Sequence, residues 1–255
     1  MFRVIQYLLL FILVFNDHEL NAQKMDPIQT DRPDQTECPN IVPHRYIQME
    51  NGFSLEKINS KTNAFTYPSS LLKYGLNDKF EVRLVSDILS IKENNTMVTG
   101  VTPIAFGFKT SICKEKGMIP LTSFIGHLTT SKFGHPAFHT KYFAPSFRFT
   151  MQHTLSKNIS LGYNLGCEWD GDEAEQIFIY TLTTGFKLTE KLGGYVEFYG
   201  HFQNQSTVDN RFDGGLTYLI SDDFMVDVSS GFGLMQASYA NFISIGFSFR
   251  FKTVN

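Results

Sequence analysis

Beyond residue 22 the sequence has no run of about 18 consecutive apolar residues, the length a membrane-crossing helix needs. A helical membrane protein is thereby excluded. Cysteine is scarce: Cys38, Cys113 and Cys167 are the full set, an odd number that builds no disulfide framework and lacks zinc-site spacing. At most one pair of them could bridge. Charge of either sign is close to balance, with 22 Lys and Arg against 25 Asp and Glu, so no nucleic-acid partner is expected. No glycine-rich phosphate loop and no metal-ligand cluster appears, so neither cofactor nor metal is expected. What the chain has in plenty is phenylalanine, 25 residues, supported by 11 tyrosines.

Those aromatics fall into a period of two. In 242–251, Ile243, Ile245, Phe247, Phe249 and Phe251 alternate with Ser244, Gly246, Ser248 and Arg250. A strand points alternate side chains to opposite faces, so one face here is apolar and the other small, polar or basic. The pattern recurs almost to the start of the chain. Twelve segments read as strands: 46–56, 63–74, 80–89, 101–112, 119–129, 143–154, 159–169, 176–187, 192–203, 211–220, 224–234 and 242–251. The parity of 119–129 is ambiguous, and the stretch 90–99 reads as a connection. Short polar turns alternate with mostly longer loops, as in a transmembrane β-barrel with apolar residues outward and polar residues toward the lumen. A mean hydropathy of -0.13 agrees with this, because half of each strand is polar. A soluble all-β sandwich shares the hairpins, but its strands run nearer five or six residues than about ten.

The expected fold is all-β: a twelve-stranded antiparallel transmembrane β-barrel with a non-regular N-terminal segment. Residues 1–22 read as a secretory signal peptide, with Arg3 before the apolar run and Leu20-Asn21-Ala22 at the cleavage site. Residues 23–43 form an extended segment that lacks any period and holds Thr30-Asp31-Arg32-Pro33-Asp34-Gln35-Thr36-Glu37. Residues 44–255 form the barrel. An even strand number puts both termini on the short-turn side, the periplasmic side of an outer membrane.

The segment 30–37, then Gln48-Met49-Glu50-Asn51-Gly52-Phe53, and then Lys73-Tyr74-Gly75-Leu76-Asn77-Asp78-Lys79-Phe80-Glu81-Val82-Arg83 carry a resemblance. Together they resemble the outer-membrane transporter family named for the meta-pathway of phenol degradation, in its Bacteroidetes form. The resemblance implies a β-barrel channel. Its expected surroundings are outer-membrane lipid, a small-molecule solute and the barrel assembly machinery.

Strand parity points a set of charges inward: Glu50, Glu81, Arg83, Asp87, Lys109, Arg148, Glu168, Glu197, Asp213, Asp227 and Arg250. Bare charges in a narrow lumen must pair or stay hydrated. They either fill the bore as a salt-bridge network or line a polar path that selects a solute. Asp31, Arg32, Asp34 and Glu37 could join them as a plug. Arg32 has the fork geometry to bind an inward carboxylate such as Glu50 or Glu81. Tyr195, Tyr199 and His201 share the inward face and could line a path for aromatic solutes. His135 and His139 sit in a loop with Gly134 and Pro136 and read as surface histidines rather than ligands. A hydrolase is the less favoured class. Ser123 and His127 lie four residues apart in one strand, roughly 13 Å at the strand rise, too far for a dyad. A structural barrel with a filled lumen differs from a channel by conductance alone.

Overall fold

The computed structural model describes residues 25–203, 208–234 and 240–254. The proposed signal peptide lies outside these residues. The strands are β1 (Tyr46–Lys57), β2 (Thr62–Asn77), β3 (Phe80–Glu93), β4 (Thr96–Val101), β5 (Ala105–Cys113), β6 (Leu121–Thr129) and β7 (Ala144–Thr154). They continue as β8 (Ile159–Glu168), β9 (Ile177–Lys187), β10 (Leu192–Gln203), β11 (Asp209–Ser221), β12 (Phe224–Gly233) and β13 (Asn241–Lys252).

Apart from β4 and β5, consecutive strands pair antiparallel, and β1 closes on β13 from Tyr46 opposite Lys252 to Lys57 opposite Asn241. β3 pairs with both β2 and β5, so every strand except β4 belongs to one closed ring of twelve. Closure leaves no open edge, which a membrane interior demands.

β4 corrects the reading of 90–99 as a connection. β3 runs on to Glu93, turns through Asn94-Asn95, and returns as β4 against Ile88–Glu93. Asn94 sits at φ 53°, the left-handed region that two-residue hairpin turns require and that Asn tolerates. Pro103 then separates β4 from β5, so Val101 ends a hairpin rather than opening the fourth barrel strand.

The two faces are inverted relative to a water-soluble protein. Ile243, Ile245 and Phe251 are 54%, 57% and 50% exposed, whereas Ser248 is wholly buried and Arg250 is 7% exposed. The most deeply buried large side chains include Lys73, Lys109, Glu50, Glu81 and Glu197. The core is therefore the lumen, and the apolar band faces outward. β6 shows why its parity was ambiguous: Ile125 is fully buried on the same inward face as Ser123. Ile179 on β9 and Met225 on β12 are likewise apolar and inward.

The outward band yields a stability test. Ile245→Arg is expected to cost roughly 2–4 kcal/mol in urea unfolding from lipid, as for a cation near the bilayer midplane. Leu76→Arg, at the short-turn end of β2, is expected to cost about 0–1 kcal/mol. Equal costs at the two positions would refute this placement of the band.

Candidate functional site

The N-terminal segment crosses the lumen. It has no regular structure, so its backbone groups need partners from the wall. The wall carboxylates supply them. Glu50 Oε2 accepts from the N–H groups of Asp31 at 3.0 Å and Arg32 at 3.1 Å. Glu197 Oε2 accepts from Gln35 N–H at 2.7 Å, and Glu81 Oε2 from Val42 N–H at 2.7 Å. Asn164 binds Glu37 twice, accepting from its N–H at 2.8 Å and donating to its carbonyl at 3.1 Å. Ser123 donates to Pro39 O at 2.5 Å, and Thr36 bonds both Thr181 at 2.6 Å and Glu197.

Charge then splits the lumen into two walls. β2, β3 and β5 present Lys73, Arg83 and Lys109, and all three converge on Asp31. Lys73 Nζ and Lys109 Nζ each lie 2.9 Å from its carboxylate, and Arg83 Nη2 lies 3.1 Å away. All four side chains are at most 5% exposed. Lys73 also pairs with Glu50. The facing wall, β10 to β12, carries Glu197, Asp213 and Asp227. Arg32 donates to Asp227 at 2.8 Å and to Ser244 at 3.1 Å. Asp31 and Arg32, adjacent in the segment, thus fasten it to two separate arcs of the ring, Asp31 to β2, β3 and β5 and Arg32 to β12 and β13.

Arg32 thus corrects one expectation. Its partner is Asp227, not Glu50 or Glu81. Both of those carboxylates are occupied by the segment's own N–H groups, on the side toward which Asp31 points. Space for the guanidinium comes from Gly52 and Gly246, which face each other across β1 and β13. A Cβ on either would overlap it, lying 2.5 Å from Arg32 Cζ at Gly52 and 2.5 Å from Nε at Gly246.

The remaining candidates spread along the bore. Glu37 meets Arg83 Nη1 at 2.7 Å and Arg148 Nη1 at 3.7 Å. Arg148 also reaches Glu168 at 3.3 Å. Asp34 shares its surroundings with Glu197 and Asp213, with no ion pair described for it. Tyr195 and Tyr199 are buried, and Tyr199 packs edge-on against His201 at 6.2 Å. Asp87 stands apart, opposite Ser69. Arg250 fastens to Asp223 at 2.6 Å, at the short-turn end. Lys73 was missed from sequence, because Pro68 and the irregular register between Thr66 and Ser69 break the period of β2. Its register opposite the inward Gln48 is the signal that identifies it.

Outside the strands, hydrogen bonds tune two loop carboxyls. The N–H and hydroxyl of Thr154 lower Glu115, and the N–H groups of Glu173 and Asp172 lower Asp170. His135 Nδ1 accepts from Ala137 N–H, and His139 Nε2 lies 3.1 Å from Gly134 O.

A family model described as "Putative MetA-pathway of phenol degradation" matches residues 30–251. The chain belongs to this family. The match begins at Thr30, inside the lumenal segment, so the Asp31–Arg32 brace lies within the matched region. No curated protein sequence matches the chain. Among solved structures, it is similar to an outer membrane channel from Pseudomonas putida F1 (TM-score 0.64, 8% identity, covering 83% of this chain and 97% of that one). It is also similar to the NanC porin (TM-score 0.56, 9% identity, 79% and 98% covered). A third similar structure is the KdgM porin in complex with disordered oligogalacturonate (TM-score 0.56, 8% identity, 80% and 99% covered). At these identities the likeness establishes the fold: a twelve-stranded barrel of the outer-membrane type.

Beside the segment, among the described residues, lies a large space. A cavity of about 1010 Å³ lies between the segment and β7–β12, lined by Gly162, Thr183, Gly185, Gly193, Tyr195 and Thr217 among others. Small inward residues on β8 to β11 set the wall back there. The cavity reaches the turn residues Ser156–Asn158 and Thr189–Lys191, with Thr36–Pro39 of the segment also lining it.

Proposed function

We propose that the chain is an outer-membrane channel for passive passage of small hydrophobic or aromatic compounds, held closed by its N-terminal segment. The observation that carries this reading is the segment's place in the lumen. Its Asp31 and Arg32 fasten to two separate arcs of the barrel wall, and a 1010 Å³ cavity adjoins it at the short-turn end. A barrel built only as an anchor has no need of a charged wall on each side of a separate strap. The family's name for phenol degradation and the channel and porin neighbours support a small-molecule solute. Buried Tyr195 and Tyr199 supply aromatic surface inside the bore. In this reading residues 1–22 are the signal peptide, 23–43 the plug and 44–255 the barrel. The two termini and the short turns face the periplasm, and the barrel assembly machinery inserts the chain. Asp31, Arg32, Asp34 and Glu37 act from the plug, and Glu50, Glu81, Arg83, Asp87, Lys109, Arg148, Glu197, Tyr195 and Tyr199 act from the wall. No catalytic role is assigned to any residue.

The filled-lumen structural barrel is the second reading, favoured by the complete ion pairing of Asp31. Planar-bilayer recording separates the two. The refolded mature chain is expected to conduct rarely, and a form lacking residues 23–37 to conduct in discrete steps. Silence in both forms would refute the channel and move the structural barrel, or the less favoured hydrolase, ahead.

A further inference from the structure

Glu37 sits among more donors than it uses. Arg83 comes from β3, Arg148 from β7 and His127 from β6, and Arg83, Gly107 and His127 follow one another across the register. Glycine at 107 lets the His127 ring lie across β5 toward Arg83. Glu37 Oε2 lies 2.7 Å from Arg83 Nη1, yet neither atom makes an aligned hydrogen bond, and Arg83 Nε and His127 Nε2 are also buried without a partner. Arg83 itself is 4% exposed. The plug carboxylate is therefore held by charge, and its backbone, fixed by Asn164, denies it the bidentate geometry that a guanidinium prefers. A free carboxylate has no such tether.

We propose that this seat is a binding site for a small monocarboxylate solute, with the Glu37 side chain as its built-in competitor. One negative charge fits. Arg83 already shares itself with Asp31, and Arg148 with Glu168, so the seat balances one anion and not two. A route to it exists as well. The side chains of Arg148 and Glu37 are 19% and 16% exposed, and Glu168 and His201, 30% and 28% exposed, continue toward the long-loop ends of β8 and β10. A solute carboxylate that takes the seat frees the Glu37 side chain, so that Thr36–Glu37 stays on β8–β10 only through Asn164, Thr181 and Glu197. Opening from that weakened hold rests on the channel reading; the binding step does not.

The test is calorimetric titration of the refolded mature barrel with benzoate, and with benzyl alcohol as the neutral analogue. Glu37→Gln is expected to bind benzoate at least about tenfold more tightly than the wild type, because a tethered competitor acts at millimolar or higher effective concentration. Arg148→Lys keeps the charge but loses the fork, and is expected to weaken benzoate in the Glu37→Gln background. Benzyl alcohol should bind none of the forms better than another. Equal benzoate affinity in wild type and Glu37→Gln overturns the site, as does a benzyl alcohol response that matches benzoate. If Glu37→Gln does not refold, Arg148→Lys in the wild-type chain decides: unchanged benzoate affinity overturns the proposal. Bilayer conductance, read separately, distinguishes the two ideas. Benzoate binding without conductance refutes the channel and leaves the site. Conductance without benzoate binding does the reverse.

Discussion

Asp31→Asn is expected to release the N-terminal segment from the lumen. The carboxylate is the meeting point of Lys73, Arg83 and Lys109, all buried. Asparagine has nearly the same shape, so packing is kept, but the charge is lost and one of two accepting oxygens becomes an amide donor facing other donors. Lys73 then falls back on Glu50, Arg83 on Glu37, and Lys109 on Glu81 at 3.9 Å. Breaking a buried charge group in this way costs about 3–5 kcal/mol, because Lys109 loses its shortest carboxylate contact, Arg83 loses its hydrogen bond to a carboxylate, and an amide donor is left facing buried donors. The strand ladder does not depend on Asp31, so the loss falls on the segment's hold in the lumen. Each 1.4 kcal/mol is tenfold, so the released fraction should rise by roughly two to four orders of magnitude. Frequent open steps in a planar bilayer, from a barrel that still runs as a folded species, are the expected record. Asp34→Asn is the contrast. Asp34 neighbours Glu197 and Asp213 rather than cations, so Asn there breaks no attraction to a cation and should leave the channel closed. Equal opening by both variants would show that acidic charge in general, and not the Asp31 hub, holds the segment.

Gly52→Ala should act on the other half of the brace. The three atoms nearest to a Cβ at Gly52 all belong to the Arg32 guanidinium, with Cζ at 2.5 Å. A flexible arginine would swing aside at little cost, but this one is pinned by Asp227 and Ser244. Its displacement strands Asp227, whose side chain is fully buried. The expected loss is again about 3–5 kcal/mol in urea unfolding, with open steps in the bilayer. The decisive form is a cycle with Arg32→Ala. Once the guanidinium is gone, the three atoms nearest to the new Cβ are gone with it. The same Gly52→Ala should then be neutral or stabilising by up to about 1 kcal/mol, as alanine restricts the unfolded chain. An Ala cost that persists in the Arg32→Ala background would place the strain in β1 itself.

Local pattern carried much of this molecule. The period of two in 242–251 assigned Ile243, Ile245 and Phe251 outward and Ser244, Ser248 and Arg250 inward, and the burial follows it. The same rule turned Glu50, Glu81, Arg83, Lys109 and Glu197 inward. It failed where the period is locally broken. Lys73 was lost behind Pro68, β4 behind an Asn-Asn turn, and β6 behind the inward Ile125. Each failure is a place where one residue departs from alternation and the backbone absorbs it.

The twelve strands of the ring, the two faces and much of the charge content of the lumen were written in the sequence by itself, because side-chain direction in a strand is a local property set by the backbone. Which charge meets which was decided only by the tertiary structure. Arg32 and Asp227 are 195 positions apart and meet because β13 closes on β1 and sets the register around the ring. Asp31 gathers cations from three strands for the same reason. A closed sheet turns a one-dimensional alternation into a fixed ring of rows, and the partners within a row depend on every register between them.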